Sequence, residues 1–255
     1  MNKVTRKLFL ALGLYDKIVD FKNWTTNTEK KYIKFYSRFV NQGDLCFDIG
    51  ANVGRRTRVL LKINTKVVAV EPHPQCMRVL KKKYNKCNNV TLVQKAVGEC
   101  SGQEEMMMCN AHSLSSLSKE WVENVKSSGR YAQCNWNKKI TVNVTTLDDL
   151  IREYGKPVFI KIDAEGYEDH IIKGLSQPIP VICFEFTPEF MDSAFNCIKH
   201  LAEMEPAKFN YCTSENPYNL ILPNWVDAEQ LRQILTSKPD NSTGDIFARF
   251  GNYSS

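Results

Sequence analysis

Residues 45–72, LCFDIGANVGRRTRVLLKINTKVVAVEP, restrict the fold more than any other stretch of the chain. A short apolar run, LCFDI, enters a turn carrying Gly50 and Gly54. A helical-period segment, RRTRVLLKI, follows, and then a second apolar run, KVVAVE. Strand, glycine turn, helix and strand in this order open a parallel α/β sheet, whose ligands bind beyond the carboxyl ends of the strands. A dinucleotide turn needs G-x-G-x-x-G so that the backbone can approach a pyrophosphate. Counted from Gly50, Asn52 and Arg55 occupy the second and third glycine positions. No Gly-Lys-Ser/Thr follows, which removes a P-loop as well. What remains is a roomy turn, Asp48-x-Gly50-x-Asn52-x-Gly54, and Glu71 at the exit of the second strand. A carboxylate there can accept hydrogen bonds from both hydroxyls of a ribose. These residues fit a nucleoside cofactor without a diphosphate, S-adenosylmethionine foremost. A turn of the same shape with no ligand is the bland alternative.

A second anchor lies at residues 157–175, PVFIKIDAEGYEDHIIKGL. The strand VFIKID is apolar apart from Lys161 and delivers Asp163 and Glu165 to its carboxyl end. Lys161 and Asp163 are two residues apart and share a face of the extended strand. Acidic residues at the start of the next helix suit its dipole, which accounts for Glu165 and Glu168 without a ligand but not for Asp163. The following strand, PVICFEF, ends on Glu185. Two neighbouring strands that both exit in carboxylates can supply a base, acceptors for sugar hydroxyls, or part of a divalent-metal site.

The rest of the chain is read around these anchors. Residues 1–42 form an N-terminal helical extension, with KKYIKFYSRFV as an apolar-faced helix set against the sheet or over the cofactor. The run LFLALGL at residues 8–14 is too short to span a bilayer and is expected to pack on the fold rather than touch a membrane. Residues 43–255 form the main domain. VTLVQKAV (90–97) is a third strand whose end borders the cofactor base. Residues 99–145 break the strand–helix rhythm and are read as an insertion at the substrate edge, with His112, Ser113, Ser115 and Ser116 as its polar candidates. ITVNVTTL is a strand, Thr146 caps the helix LDDLIREYG, and FNYCTS, YNLILP and DIFARF are the last strands.

Composition narrows the class further. The charge of +6, from 34 basic and 28 acidic residues, reads as scattered and assists an anionic partner without specifying one. The lysines of QCMRVLKKKYNKC are expected to form a solvated helix face, not a nucleic-acid patch. Nine cysteines at irregular spacing, with no C-x-x-C, indicate a reducing, cytoplasmic setting and no structural zinc.

FDIGANVGRRT, VVAVEPHP, KAVG, HSLSSL, TLDDL, KIDAEGYEDHIIKG and the strand ending in Glu185 resemble, in that order, the FkbM-type methyltransferases. The resemblance spans about residues 43–190. It implies an α/β, Rossmann-like class I methyltransferase fold: a seven-stranded, mostly parallel sheet with a reversed last strand and helices on both faces. It also implies S-adenosyl-L-methionine as cofactor and O-methylation of a hydroxyl on a sugar, glycan or glycosylated metabolite. Carried over by position, Asp48, Gly50, Asn52, Gly54 and Thr57 shape the methionine pocket. Glu71 and Pro72 hold the ribose, Lys95 and Ala96 border the adenine, and Asp163 and Glu165 sit at the methyl-transfer edge. Asp163, His112 and Glu185 are the catalytic candidates. A divalent metal is compatible with this set, and so is a homo-oligomer. The arginine pair Arg55–Arg56 has no family assignment. The rival readings are a nucleotide or RNA methyltransferase, a nicotinamide oxidoreductase and a non-catalytic S-adenosylmethionine-binding domain.

Overall fold

The computed structural model describes residues 26–237 and 242–251, so the 8–14 segment lies outside the described residues. Its centre is a seven-stranded sheet of order β3-β2-β1-β7-β8-β10-β9. The strands are β1 (Leu45–Ile49), β2 (Lys66–Val70), β3 (Val90–Val93), β7 (Phe159–Ile162), β8 (Val181–Phe186), β9 (Ala207–Thr213) and β10 (Gly244–Phe250). Strands β3, β2, β1, β7 and β8 run parallel, whereas β10 is antiparallel to both β8 and β9. This is the expected Rossmann-like class I sheet with its last strand reversed. Strands β1, β7 and β8 read as near-continuous apolar runs because helices cover them on both faces.

Alternation along the strands divides the core in two. Cys46, Val67, Ala69, Phe159 and Phe247 face a layer formed by α1 (Thr26–Tyr36), α2 (Arg55–Lys62) and α3 (Pro74–Tyr84), through Phe35, Tyr36, Val59, Leu60, Met77 and Leu80. On the other face, Phe47, Ile49, Ile160, Ile162 and Phe184 meet α5 (Leu147–Tyr154), α6 (Glu168–Lys173), α7 (Met191–Met204) and α8 (Ala228–Ser237). Helix α1 is thus part of the core: Tyr36 packs edge-on against Phe159 and Phe35 against Phe247, each pair with centroids 5.5 Å apart. Thr146 caps α5 by accepting from the Asp149 amide at 3.0 Å, and Gly155 at φ 96° ends it.

Two readings of local structure need correction, and the insertion gains a strand. VTLVQKAV is two strands, because the chain bends at Gln94–Lys95. Val90–Val93 stays in the main sheet, while β4 (Ala96–Val97) pairs with β6 (Lys138–Thr145) instead. Within the insertion, β5 (Gly102–Met108) pairs antiparallel with β6 and completes a second, three-stranded sheet, β4-β6-β5. Its outer half is exposed, which hides the apolar signal of a strand. YNLILP forms no strand. Its backbone follows edge strand β9 through isolated bonds, and the Asn210 side chain bonds both the amide and the carbonyl of Leu222.

All nine cysteines are free thiols. Among the described residues, no helix is long and apolar enough to cross a membrane.

Candidate active site

The carboxyl ends of β1, β2, β7 and β8 open into a cavity of about 640 Å³. That size accommodates a nucleoside cofactor together with part of an acceptor. The glycine turn forms its floor. Gly50 has φ 76°, and a Cβ there would overlap the Asp163 carbonyl, so two strand exits approach each other only because this residue is glycine. Asn52 is left-handed at φ 49°, a conformation asparagine tolerates better than most residues. This turns its amide onto Glu71 Oε2 at 2.7 Å, while the His73 amide donates to Oε1, also at 2.7 Å. Glu71 is therefore fixed by two backbone donors at the cavity wall. Burial nevertheless pushes its carboxyl up to about 7, against the pull of those two bonds.

The expected cofactor residues separate into two groups. Asp48, Gly50, Asn52, Glu71, Pro72, Lys95, Ala96, Asp163 and Glu165 line the cavity. Thr57 and Gly54 lie behind that wall. Thr57 is buried and donates to Asp48 Oδ2 at 2.5 Å. Gly54 keeps α2 close to α3, since a Cβ there would sit 2.8 Å from Leu80 and 2.9 Å from Tyr84. Beside the β2 exit, Ala96, Val97, Met106, Leu117 and Ile171 supply an apolar slot. Two of these, Met106 and Leu117, come from the insertion. This segment was expected to read the acceptor, and it brings Met106, His112, Ser113, Ser115 and Leu117 to the cavity. The donor set fits S-adenosylmethionine: a fixed carboxylate for a diol, an apolar slot for a base, and a turn with no diphosphate cradle.

On the β7–β8 side, Asp163, Glu165 and Glu185 each bring one oxygen within 4.8 Å of the others, close enough to share a divalent cation. Glu165 has φ 52°, a backbone region costing roughly 1–2 kcal/mol for such a residue. Its carbonyl is held by the buried Ser116 hydroxyl at 2.7 Å, so Ser116 ties the insertion to this turn. Gly166 follows at φ 88°, packed so tightly under Trp121 that a Cβ would overlap the indole. Glu168 closes the turn by accepting from the Ala164 amide at 2.8 Å. Burial, and then the Asp163 charge, push the carboxyls of Glu165 and Glu185 well above the ordinary range. Lys161 is fully buried beneath them. Its ammonium donates to Asp245 Oδ1 and the Ile162 carbonyl, each at 2.9 Å, and lies 3.7 Å from Asp163 Oδ2. Burial opposes its charge, but Asp245 and Asp163 more than offset this and hold it firmly protonated.

His112 is not with the carboxylates. It lines the cavity from a 3₁₀ turn, with Nδ1 3.4 Å from Cys76 Sγ and its ring 6.0 Å from that of His73. Ser113 and Ser115 also line the cavity. Sequence reasoning missed a further wall built from Thr28 and Tyr32 of α1, Arg55 and Arg56 of α2, and Ser214, Pro217 and Tyr218. Arg56 lies over the Tyr32 ring at 4.2 Å, and Tyr32 meets Tyr218 edge-on at 4.6 Å. The aromatic spacing of α1 marked a buried face but carried no sign that one of its tyrosines reaches the cavity.

Several solved structures share the general path of the chain. The precorrin-6y C5,15-methyltransferase of Geobacter metallireducens is 12% identical, with TM-score 0.48 and 89% of each chain covered. An S-adenosylmethionine-dependent O-methyltransferase of Thermotoga maritima is 11% identical, with TM-score 0.42, covering 94% of this chain and 72% of that one. Fibrillarin of Aeropyrum pernix, solved with bound S-adenosylmethionine, is 10% identical, with TM-score 0.43, covering 82% and 68%. Likeness at this level bears on neither substrate nor mechanism. No curated protein sequence matches the chain. The family model described as the methyltransferase FkbM domain matches residues 48–237, from the Asp48 turn through helix α8. The chain belongs to the FkbM methyltransferase family and is an S-adenosylmethionine-dependent methyltransferase.

Proposed function

We propose that the enzyme methylates a hydroxyl oxygen of a sugar, glycan or glycosylated metabolite, with Asp163 as the residue that orients and deprotonates that hydroxyl. The observation that carries this reading is the convergence of Asp163, Glu165 and Glu185 at the β7–β8 exits, in the same cavity as Glu71. A sugar presents adjacent hydroxyls that both donate and accept. Carboxyls raised by burial can match either role, accepting when ionised and donating when protonated.

Bound S-adenosylmethionine supplies an electrophilic methyl group on a positively charged sulfur. The protein's part is alignment and proton removal. Glu71 would hold the ribose hydroxyls and the Ala96–Met106–Leu117 slot would hold the base. Lys161 fixes the Asp163 carboxylate from below. Asp163 would orient the acceptor hydroxyl and take its proton as that oxygen accepts the methyl group. Glu165 and Glu185 hold neighbouring hydroxyls. Their spacing with Asp163 also suits a divalent cation, but no step here requires one. His112, beside Cys76 and His73, belongs with the Glu71 end. Nine free thiols suit a reducing compartment such as the cytoplasm.

The test is Asp163→Asn, assayed by transfer of labelled methyl to a panel of sugars and glycans. Turnover should fall by about a hundredfold or more, while S-adenosylhomocysteine affinity stays within about threefold. Near wild-type turnover in the variant would overturn the assignment.

A further inference from the structure

The basic residues are not scattered. Residues 26–95 hold fifteen lysines and arginines against four acids, whereas residues 96–255 hold fourteen against twenty-two. Of the four acids, Glu29, Asp48 and Glu71 are buried. The fold gathers this excess onto one side, because α1, α2 and α3 all pack on the same face of the sheet. Their outer surfaces expose Lys30, Lys34, Lys62, Arg78, Lys81 and Lys82, among others. The charges crowd one another: burial, and then Arg58 and Arg55, lower the Lys83 pKa across the α2–α3 boundary. The opposite face carries mixed charge, with Asp148, Asp149, Arg152 and Glu153 on α5 as an instance.

We propose that the α1–α3 face docks on an anionic phospholipid surface, placing the rim of the active-site cavity beside the membrane. Three features select this partner. The face joins the cavity directly, since Thr28, Tyr32 and Arg55 line the cavity and the Lys83 ammonium bonds the Val53 carbonyl of the glycine turn at 2.6 Å. Its outer surface offers charge without a row of exposed aromatics. Ile221 is the one large apolar side chain exposed among the described residues, and Tyr32 and Tyr218 lie at the cavity wall instead of on the outer surface, unlike the aromatic-studded groove that tracks a single-stranded nucleic acid. The start of α1 lies on this face, where Glu29 pairs with Arg58 of α2 at 2.8 Å. The sequence before α1 includes the basic and apolar stretch KVTRKLFLALGL, which on this proposal attaches to the lipid instead of packing on the fold. A polybasic face and a short apolar segment are the two weak signals that together give reversible membrane attachment.

The full-length protein is tested by co-sedimentation with phosphatidylcholine vesicles, with and without about 30% phosphatidylserine. Binding is expected to acidic vesicles alone and to be lost at about 0.5 M salt. Lys62→Glu/Lys81→Glu/Lys82→Glu should weaken it by about tenfold or more. The variant should bind S-adenosylhomocysteine as the wild type does, which shows that the fold is intact. The corresponding glutamine substitutions provide a milder second variant. Failure to bind acidic vesicles at low salt overturns the proposal. So does binding to single-stranded RNA in the absence of vesicle binding. The readout involves no methyl transfer, so it stands or falls separately from the assignment of Asp163.

Discussion

Replacing Lys161 with methionine removes a fully buried ammonium while keeping most of its volume. Lys161 holds Asp245 at 2.9 Å and Asp163 at 3.7 Å, and no solvent reaches its side chain to take over. Each contact is worth about 4–6 kcal/mol of Coulomb attraction at an effective dielectric of about 20, before the desolvation of the ions is subtracted. Breaking a buried pair from one side typically costs about 3–5 kcal/mol, because the partner charge is left behind. Here two carboxylates are left, next to Glu165 and Glu185. Lys161→Met should therefore destabilise the protein by at least that amount, or roughly 6–20 °C in Tm for a chain of this size. Chemical denaturation of the wild type, Lys161→Met, Asp245→Asn and the double variant completes the cycle. The double variant should recover part of the loss, since removing both members of a pair spares the cost of an orphaned charge. A Lys161→Met loss below about 1 kcal/mol, or a double variant no better than the sum of the singles, would refute the claim that this ammonium offsets the carboxylate cluster.

Two pH effects follow from the same burial. If Glu71 must be ionised to accept both ribose hydroxyls, a carboxyl raised to about 7 should make S-adenosylhomocysteine bind about tenfold more weakly at pH 6 than at pH 8. Calorimetry of Glu71→Gln should show weaker binding with most of that slope gone, and an unchanged slope would assign it to another group. The ligand-free protein should respond in the opposite sense. Glu71 and Glu168, both raised to about 7, contribute stability that is complete below their unfolded value and is lost as pH rises through 7. His73, lowered to about 4 by burial and then by His112, contributes stability present above its unfolded value and lost as pH falls. Between pH 8 and 6 the two carboxyls gain about 1 kcal/mol each and the histidine loses less than one. Thermal denaturation should therefore give a higher Tm at pH 6 than at pH 8, and the reverse order would show that the carboxyls are better solvated than their burial indicates.

The sheet was legible because its signals are local. Glycines at 50 and 54, acids at 71, 163 and 185, and unbroken apolar runs between them record strands buried on both faces and what leaves their ends. The second sheet was not legible. β5 reads GQEEMMM, and its exposed half carries the polar residues that elsewhere mark a loop. β4 is two residues long and looks like the tail of β3. Roles within the turn were blurred for a related reason. Thr57 sits in the motif but points at Asp48 from behind, and spacing alone cannot separate a residue that touches the cavity from one that braces it. The aromatic and arginine wall was missed because it joins α1, α2 and the 214–218 segment, which meet only in the folded chain.

That wall alters where acceptor choice should be sought. The insertion brings Met106 and Leu117 to the cavity and braces the DAEG turn through Ser116, so on the proposed division of the cavity part of it would serve the cofactor end. The Tyr32–Arg56–Tyr218 wall instead approaches the carboxylates, as Arg56 is close enough to Asp245 and Asp163 for their charges to act on it. An acceptor held by Asp163 would therefore lie between two carboxyls that read hydroxyls and a stacked arginine and tyrosines that read a ring or an anionic substituent. Substitutions at Tyr32 or Tyr218 should shift acceptor preference without changing S-adenosylhomocysteine affinity, whereas substitutions at Met106 should do the opposite. Competition binding and a panel of labelled-methyl acceptors separate these outcomes. If Tyr218→Ala weakens cofactor binding as much as Met106→Ala does, the division of the cavity into a cofactor end and an acceptor end is wrong.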